Sequence, residues 1–151
     1  MRVVLAATIV AAALASLASP AVARIVPQHS IARVELGMTR TEVRATLGAP
    51  IRVRRGSNEF GHFTVFRYFR LKVTFQGDAS VTAVKTTRRR ERTRSGVGVG
   101  STRAQVDARV ANTRCSRREC VIGRFLPGRR VTVFRLFNGR VTSVLVGFVI
   151  D

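Results

Sequence analysis

A segment near residue 40 of this chain is written a second time near residue 100. Gly37-Met38-Thr39-Arg40-Thr41-Glu42-Val43-Arg44-Ala45-Thr46-Leu47 aligns with Gly100-Ser101-Thr102-Arg103-Ala104-Gln105-Val106-Asp107-Ala108-Arg109-Val110, with the Gly, Thr, Arg, Val and Ala positions identical. Farther on, Phe75-Gln76-Gly77 matches Phe137-Asn138-Gly139, and Val81-Thr82-Ala83-Val84 matches Val141-Thr142-Ser143-Val144. The offsets are 63, 62 and 60 residues, so the register holds with a small indel. A period of this length corresponds to one supersecondary unit repeated.

The local chemistry of each copy agrees with the alignment. Thr39 with Glu42, and Thr102 with Gln105, have the spacing of capping boxes. In such a box the Thr oxygen accepts an early helical N–H, and the Glu or Gln reaches back to the Thr N–H. Val43 and Leu47, like Val106 and Val110, then lie four apart on one helical face. Gly48 supplies a stop to the first helix, Pro50 prevents its resumption, and Asn112 is the counterpart stop for the second. Alternating runs follow: Phe63, Val65 and Phe69 against Thr64, Phe66, Tyr68 and Arg70, then Leu71, Val73 and Phe75 against Lys72 and Thr74. Period two reads as half-buried strands. Asn138-Gly139 is a two-residue hairpin turn, Gln76-Gly77-Asp78 a longer one, and residues 121–122 pair with 131–137. The expected fold is therefore α+β: two tandem repeats, residues 24–94 and 95–151, each a short helical segment packed on an antiparallel β-sheet. Between them, the arginines of residues 88–94 are expected to carry the last strand of the first repeat into solvent. The Gly-Val-Gly-Val-Gly run at 96–100 reads as a spacer, since it lacks the Lys-Ser/Thr ending of a phosphate loop.

Residues 1–23 form an export signal: Met1-Arg2, an apolar run over 3–17, Pro20 and an Ala21-Val22-Ala23 cleavage site. The run is shorter than the roughly 20 apolar residues of a spanning helix. No transmembrane segment is expected after cleavage, and Arg24 at the new terminus rules out a lipid-acceptor cysteine there. The expected location is secreted or extracytoplasmic, in the periplasm or cell wall. Export places Cys115 and Cys120 in an oxidising compartment, where so close a pair forms a local disulfide clip. Their C-x4-C spacing does not suit a redox motif, and with only His29 and His62 to help, a zinc site is not expected.

The stretch Leu36-Gly37-Met38-Thr39-x-x-Glu42-Val43-x-x-x-Leu47-Gly48-x-Pro50 resembles the signature of the SmpA/OmlA (BamE) group of small envelope proteins. The resemblance implies a helical segment packed on an antiparallel sheet, in a tandem arrangement resembling beta-lactamase inhibitory protein. It covers about fifteen residues of the first copy; in the second, Ser101 replaces Met38 and the Leu-Gly-x-Pro ending is missing. The resemblance opens one alternative function, inhibition of a secreted hydrolase such as a beta-lactamase. Phe66, Tyr68, Phe134 and Leu136 would line the open face such an inhibitor needs, unless they pack beneath the helices as buried Phe ordinarily does.

The formal net charge is +19, from 27 Lys and Arg against 8 Asp and Glu. A GC-rich coding bias accounts for Arg over Lys but not for the scarcity of acids. Such a surface attracts polyanions in a salt-dependent way. The candidate anion-binding residues are Arg88, Arg89, Arg90, Arg92, Arg94, Arg117 and Arg118; a solvated surface with no dedicated ligand is the other reading. Export argues against nucleic acid as the physiological partner and for an anionic envelope polymer or a secreted or envelope protein. Catalysis, a metal and a cofactor are not expected: the one acid–His grouping, Glu59 and His62, has no nucleophile near it in sequence.

Overall fold

The computed structural model describes residues 24–77 and 79–150. The export signal expected at 1–23, and Asp78 of the expected turn, lie outside the described residues.

Three short strands, β1 (Ile25–Val26), β2 (Ser30–Ile31) and β3 (Val34–Glu35), make a small sheet. Helix α1 (Arg40–Leu47) follows, then β4 (Arg52–Asn58), β5 (Gly61–Tyr68), β6 (Leu71–Gln76) and β7 (Ala83–Thr86). Helix α2 (Arg103–Arg109) precedes β8 (Thr113–Cys115), β9 (Glu119–Ile122), β10 (Arg130–Phe137) and β11 (Arg140–Phe148). All eight later strands form one antiparallel sheet in the order β4-β5-β6-β7-β11-β10-β9-β8.

This corrects the expected α+β plan of two helix-on-sheet repeats. The molecule is mostly β, its two helices amount to 8 and 7 residues, and there is one main sheet. The join is the β7–β11 pair, with Val144 opposite Thr86 and Val146 opposite Val84. The physical reason is the edge. A four-stranded meander closed on itself leaves its last strand with a free row of N–H and C=O groups. Pairing β7 with β11 satisfies both rows at once and merges the two cores. Val43, Phe66, Val73, Phe75 and Val84 from the first half share one buried cluster with Val106, Cys120, Phe134, Val144 and Val146 from the second. Phe66 and Phe75 meet edge to face at 4.9 Å between ring centres.

Both helices lie on this core-facing side. Arg40 donates from Nη2 to Thr64 Oγ1 at 3.1 Å, and the Arg44 guanidinium sits 5.0 Å over the Phe66 ring. The small N-terminal sheet, absent from the sequence reading, closes the rest. Ile25, Ile31 and Val34 are fully buried. The Arg24 and Ile25 N–H groups both donate to the Arg92 carbonyl at 2.9 Å, and the Gln28 N–H reaches Thr132 Oγ1.

Each helix begins with a formed capping box. Thr39 N donates to Glu42 Oε2 at 2.7 Å, and Thr102 N to Gln105 Oε1 at 2.9 Å. The hydrogen bond from the Thr39 backbone, then that from its hydroxyl, hold the Glu42 carboxyl below its ordinary value of 4.5. A depressed carboxylate contributes stability above its unfolded-state pKa and loses it as pH falls through the folded one. Gln105 has no such titration. Acidification is therefore expected to lower the amide protection factor of Thr39 and leave that of Thr102 unchanged; hydrogen exchange at neutral and acid pH measures both. Glu42→Gln should abolish the difference, and parallel loss at the two caps would overturn the assignment.

Cys115 and Cys120 are opposite one another in the β8–β9 hairpin and are joined by a disulfide. The clip fastens β8, three residues long and at the sheet's outer edge.

Candidate anion-binding surface

The arginine-rich connector does not run into solvent as a strand extension. Strand β7 ends at Thr86, and the chain turns back over the core. Glu91 is fully buried, with Oε1 3.5 Å from Arg88 Nη1 and 3.4 Å from Arg90 Nε. Arg88 also donates from Nε to the Phe69 carbonyl at 2.7 Å. Arg92 spends its guanidinium on the carbonyls of Arg89, Gly96 and Val99 and on Ser101 Oγ, at 3.0 to 3.2 Å. Arg88 and Arg92 thus serve the fold first. Arg89, Arg90 and Arg94 are exposed, as are Arg117 and Arg118 at the disulfide hairpin's tip. The connector arginines and the hairpin arginines belong to separate clefts, one with Phe69 and Arg70, the other with Ser116, Glu119 and Arg135.

The glycine run at 96–100 is not a free spacer. Val97 and Val99 are buried, and a Cβ on Gly98 would run into the Glu91 carbonyl oxygen. Glycine is needed there for close backbone approach. Glu59 and His62 do not pair: His62 Nδ1 lies 2.8 Å from Ser57 Oγ across the β4–β5 hairpin. Phe66, Phe134 and Leu136 are buried and Tyr68 is half-buried on the same side, so these four do not form an open aromatic face. Burial pushes the Tyr68 phenol up, and as a neutral donor it holds the Gly48 carbonyl at 3.1 Å.

The sheet face turned away from the helices carries a feature the sequence reading missed. Strand registers place Arg52 opposite Arg67, Arg67 opposite Lys72, and Lys72 opposite Lys85. One row across β4, β5, β6 and β7 is therefore four consecutive cations, all exposed. Lys72 and Lys85 are the only lysines in the chain. The row continues through Leu145, Val133 and Val121 on β11, β10 and β9 to Arg114 on β8. Among the described residues, none of the four leading cations has an acid partner: the ion pairs there are His29–Glu35, Arg88–Glu91, Arg90–Glu91 and Arg135–Glu119. Like charges directly opposite across strands are destabilising. Each adjacent pair costs up to about 1 kcal/mol in water, less with salt. Beside the row lies a cleft of about 220 Å³ lined by Arg67, Arg70, Lys72, Lys85 and Thr87 among others. The signal was present as alternation, but only register shows that the outward cations of four strands fall on one line.

Among the described residues, no three or more His, Cys, Asp or Glu side chains come together to hold a metal. No described helix is long and apolar enough to cross a membrane.

No family model and no characterised protein sequence matches this chain. Among solved structures it is similar to a DUF4309 family protein, YjgB, of Bacillus subtilis, at 16% identity over 73% of this chain and 78% of that one, with a TM-score of 0.43. A likeness so distant carries neither family nor activity.

Proposed function

We propose that this protein is a non-enzymatic, exported component of the cell envelope or medium that binds an anionic surface or partner. The observation that carries the reading is the unneutralised row Arg52–Arg67–Lys72–Lys85 on an exposed sheet face. A folded chain that sets four like charges in register, without one acid among them, spends stability that an anionic partner returns on binding. The disulfide at Cys115–Cys120 agrees with an oxidising compartment. The resemblance to the SmpA/OmlA (BamE) group agrees with an envelope role, here without the lipid-acceptor cysteine. Hydrolase inhibition is the weaker reading, because the aromatics that would have served it are largely in the core.

The test is retention of the mature protein on immobilised heparin. Retention with elution only at salt well above 0.15 M is expected, against passage through a neutral agarose control. Elution at or below that salt would overturn the reading.

A further inference from the structure

We infer that the ligand of the outer sheet face is a linear polyanion laid across the strands of β4–β7, one negative group per cation. This rests on the anion-binding reading above and narrows it to one site and one ligand shape.

The row has the geometry of a track. Adjacent strands are about 4.8 Å apart, so four cations in register span about 14 Å in a direction perpendicular to the strands. Past Arg54, which heads the next row on β4 with its guanidinium 5.6 Å from the Phe63 ring centre, that row runs through Val65, Thr74, Ala83 and Gly147. These are short side chains, and Gly147 approaches Ala83 closely enough that a Cβ there would lie 3.1 Å from the Ala83 Cβ. Low ground therefore runs beside the long cations. The cleft lined by Arg67, Lys72 and Lys85 also takes in Arg70. Arg70 is shared with the second cleft, of about 320 Å³, whose wall is the exposed ring of Phe69 with Arg88, Arg89 and Arg90. Arg70 is fixed by its own stacking, 5.6 Å from the Phe69 ring centre. The track thus extends from the row around the β5–β6 turn. A chain with recurring phosphate or sulfate groups meets four to six cations at once along this path. A single small anion meets only one or two. A bilayer presents its charges over a plane, whereas the cations here fall on one line beside mostly short side chains.

The experiment compares two triple variants of the mature protein that lose equal charge: Arg67→Gln, Lys72→Gln, Lys85→Gln in the row, and Arg94→Gln, Arg117→Gln, Arg118→Gln away from the track. All six side chains are exposed. Probes are long-chain inorganic polyphosphate, heparin, orthophosphate and phosphatidylglycerol vesicles. The row variant should lose roughly 30-fold in affinity for both polymers, against roughly threefold for the off-track variant. Its slope of log affinity against log salt should shrink by about 2. Its melting temperature should equal or exceed that of the unaltered protein, because repulsion is relieved; a lower one would argue that the row is structural and overturn the site. Equal losses in both variants overturn the site while leaving anion binding intact. Vesicles, or orthophosphate, binding as tightly as the polymers overturn the linear ligand. Failure of the unaltered protein to bind any probe removes the parent reading along with this one.

Discussion

Glu91→Ala is expected to lower the stability of the fold by about 3–5 kcal/mol, the range for removing one partner of a buried ion pair. The Glu91 side chain is wholly enclosed, and one of its oxygens, Oε2, has no hydrogen-bond partner among the described residues. Its value lies in what it neutralises. The Arg88 side chain is only 12% exposed and sits 3.5 Å from Oε1. Without the carboxylate, Arg88 would be a shielded cation held by the Phe69 carbonyl alone. Arg90, 66% exposed, adds little because water screens it. The pair is no net gain in itself, since both charges are desolvated. Replacing the two together, Glu91→Met with Arg88→Met, is therefore expected to recover most of the loss. Urea unfolding followed by circular dichroism measures all three proteins. A loss under about 1 kcal/mol for the single variant would show that Arg88 finds water instead.

Phe66→Ala and Phe134→Ala are each expected to cost about 3–5 kcal/mol, the range for truncating a fully buried aromatic. Phe66 is 1% exposed and Phe134 is 0% exposed. They come from opposite halves of the chain yet share one buried cluster. Either substitution should therefore shift one cooperative transition for the whole molecule. Calorimetric and van't Hoff enthalpies should agree in both variants. If Phe66→Ala splits the transition and leaves part of the signal at the original temperature, the halves fold separately and the β7–β11 join is weak.

Much of the local structure was legible along the chain. The Thr39–Glu42 and Thr102–Gln105 boxes are formed, because capping involves residues three apart and nothing distant. The β10–β11 hairpin turns at Asn138-Gly139, both at positive φ, as a two-residue turn demands. The Cys115–Cys120 bridge was equally local. One expectation was overturned and one stretch went unread. The arginine connector looked solvated because charge runs usually are, yet Glu91 and the backbone carbonyls around Arg92 draw it inward. The segment before residue 37 carried Ile25, Ile31 and Val34 with no clear period, since strands of two residues show none.

The sequence by itself determined where helices start, where hairpins turn and how the cysteines pair, since each is decided by groups within a few residues of one another. Tertiary structure alone decided that the two halves share one sheet. Strands β7 and β11 are separated by more than fifty residues, and nothing in either states its partner. It alone decided, too, that Arg52, Arg67, Lys72 and Lys85 stand in one row. Alternation tells which side chains face outward, but only the register between strands sets which of them meet. A shift of one residue would have turned any of those cations to the other face of the sheet.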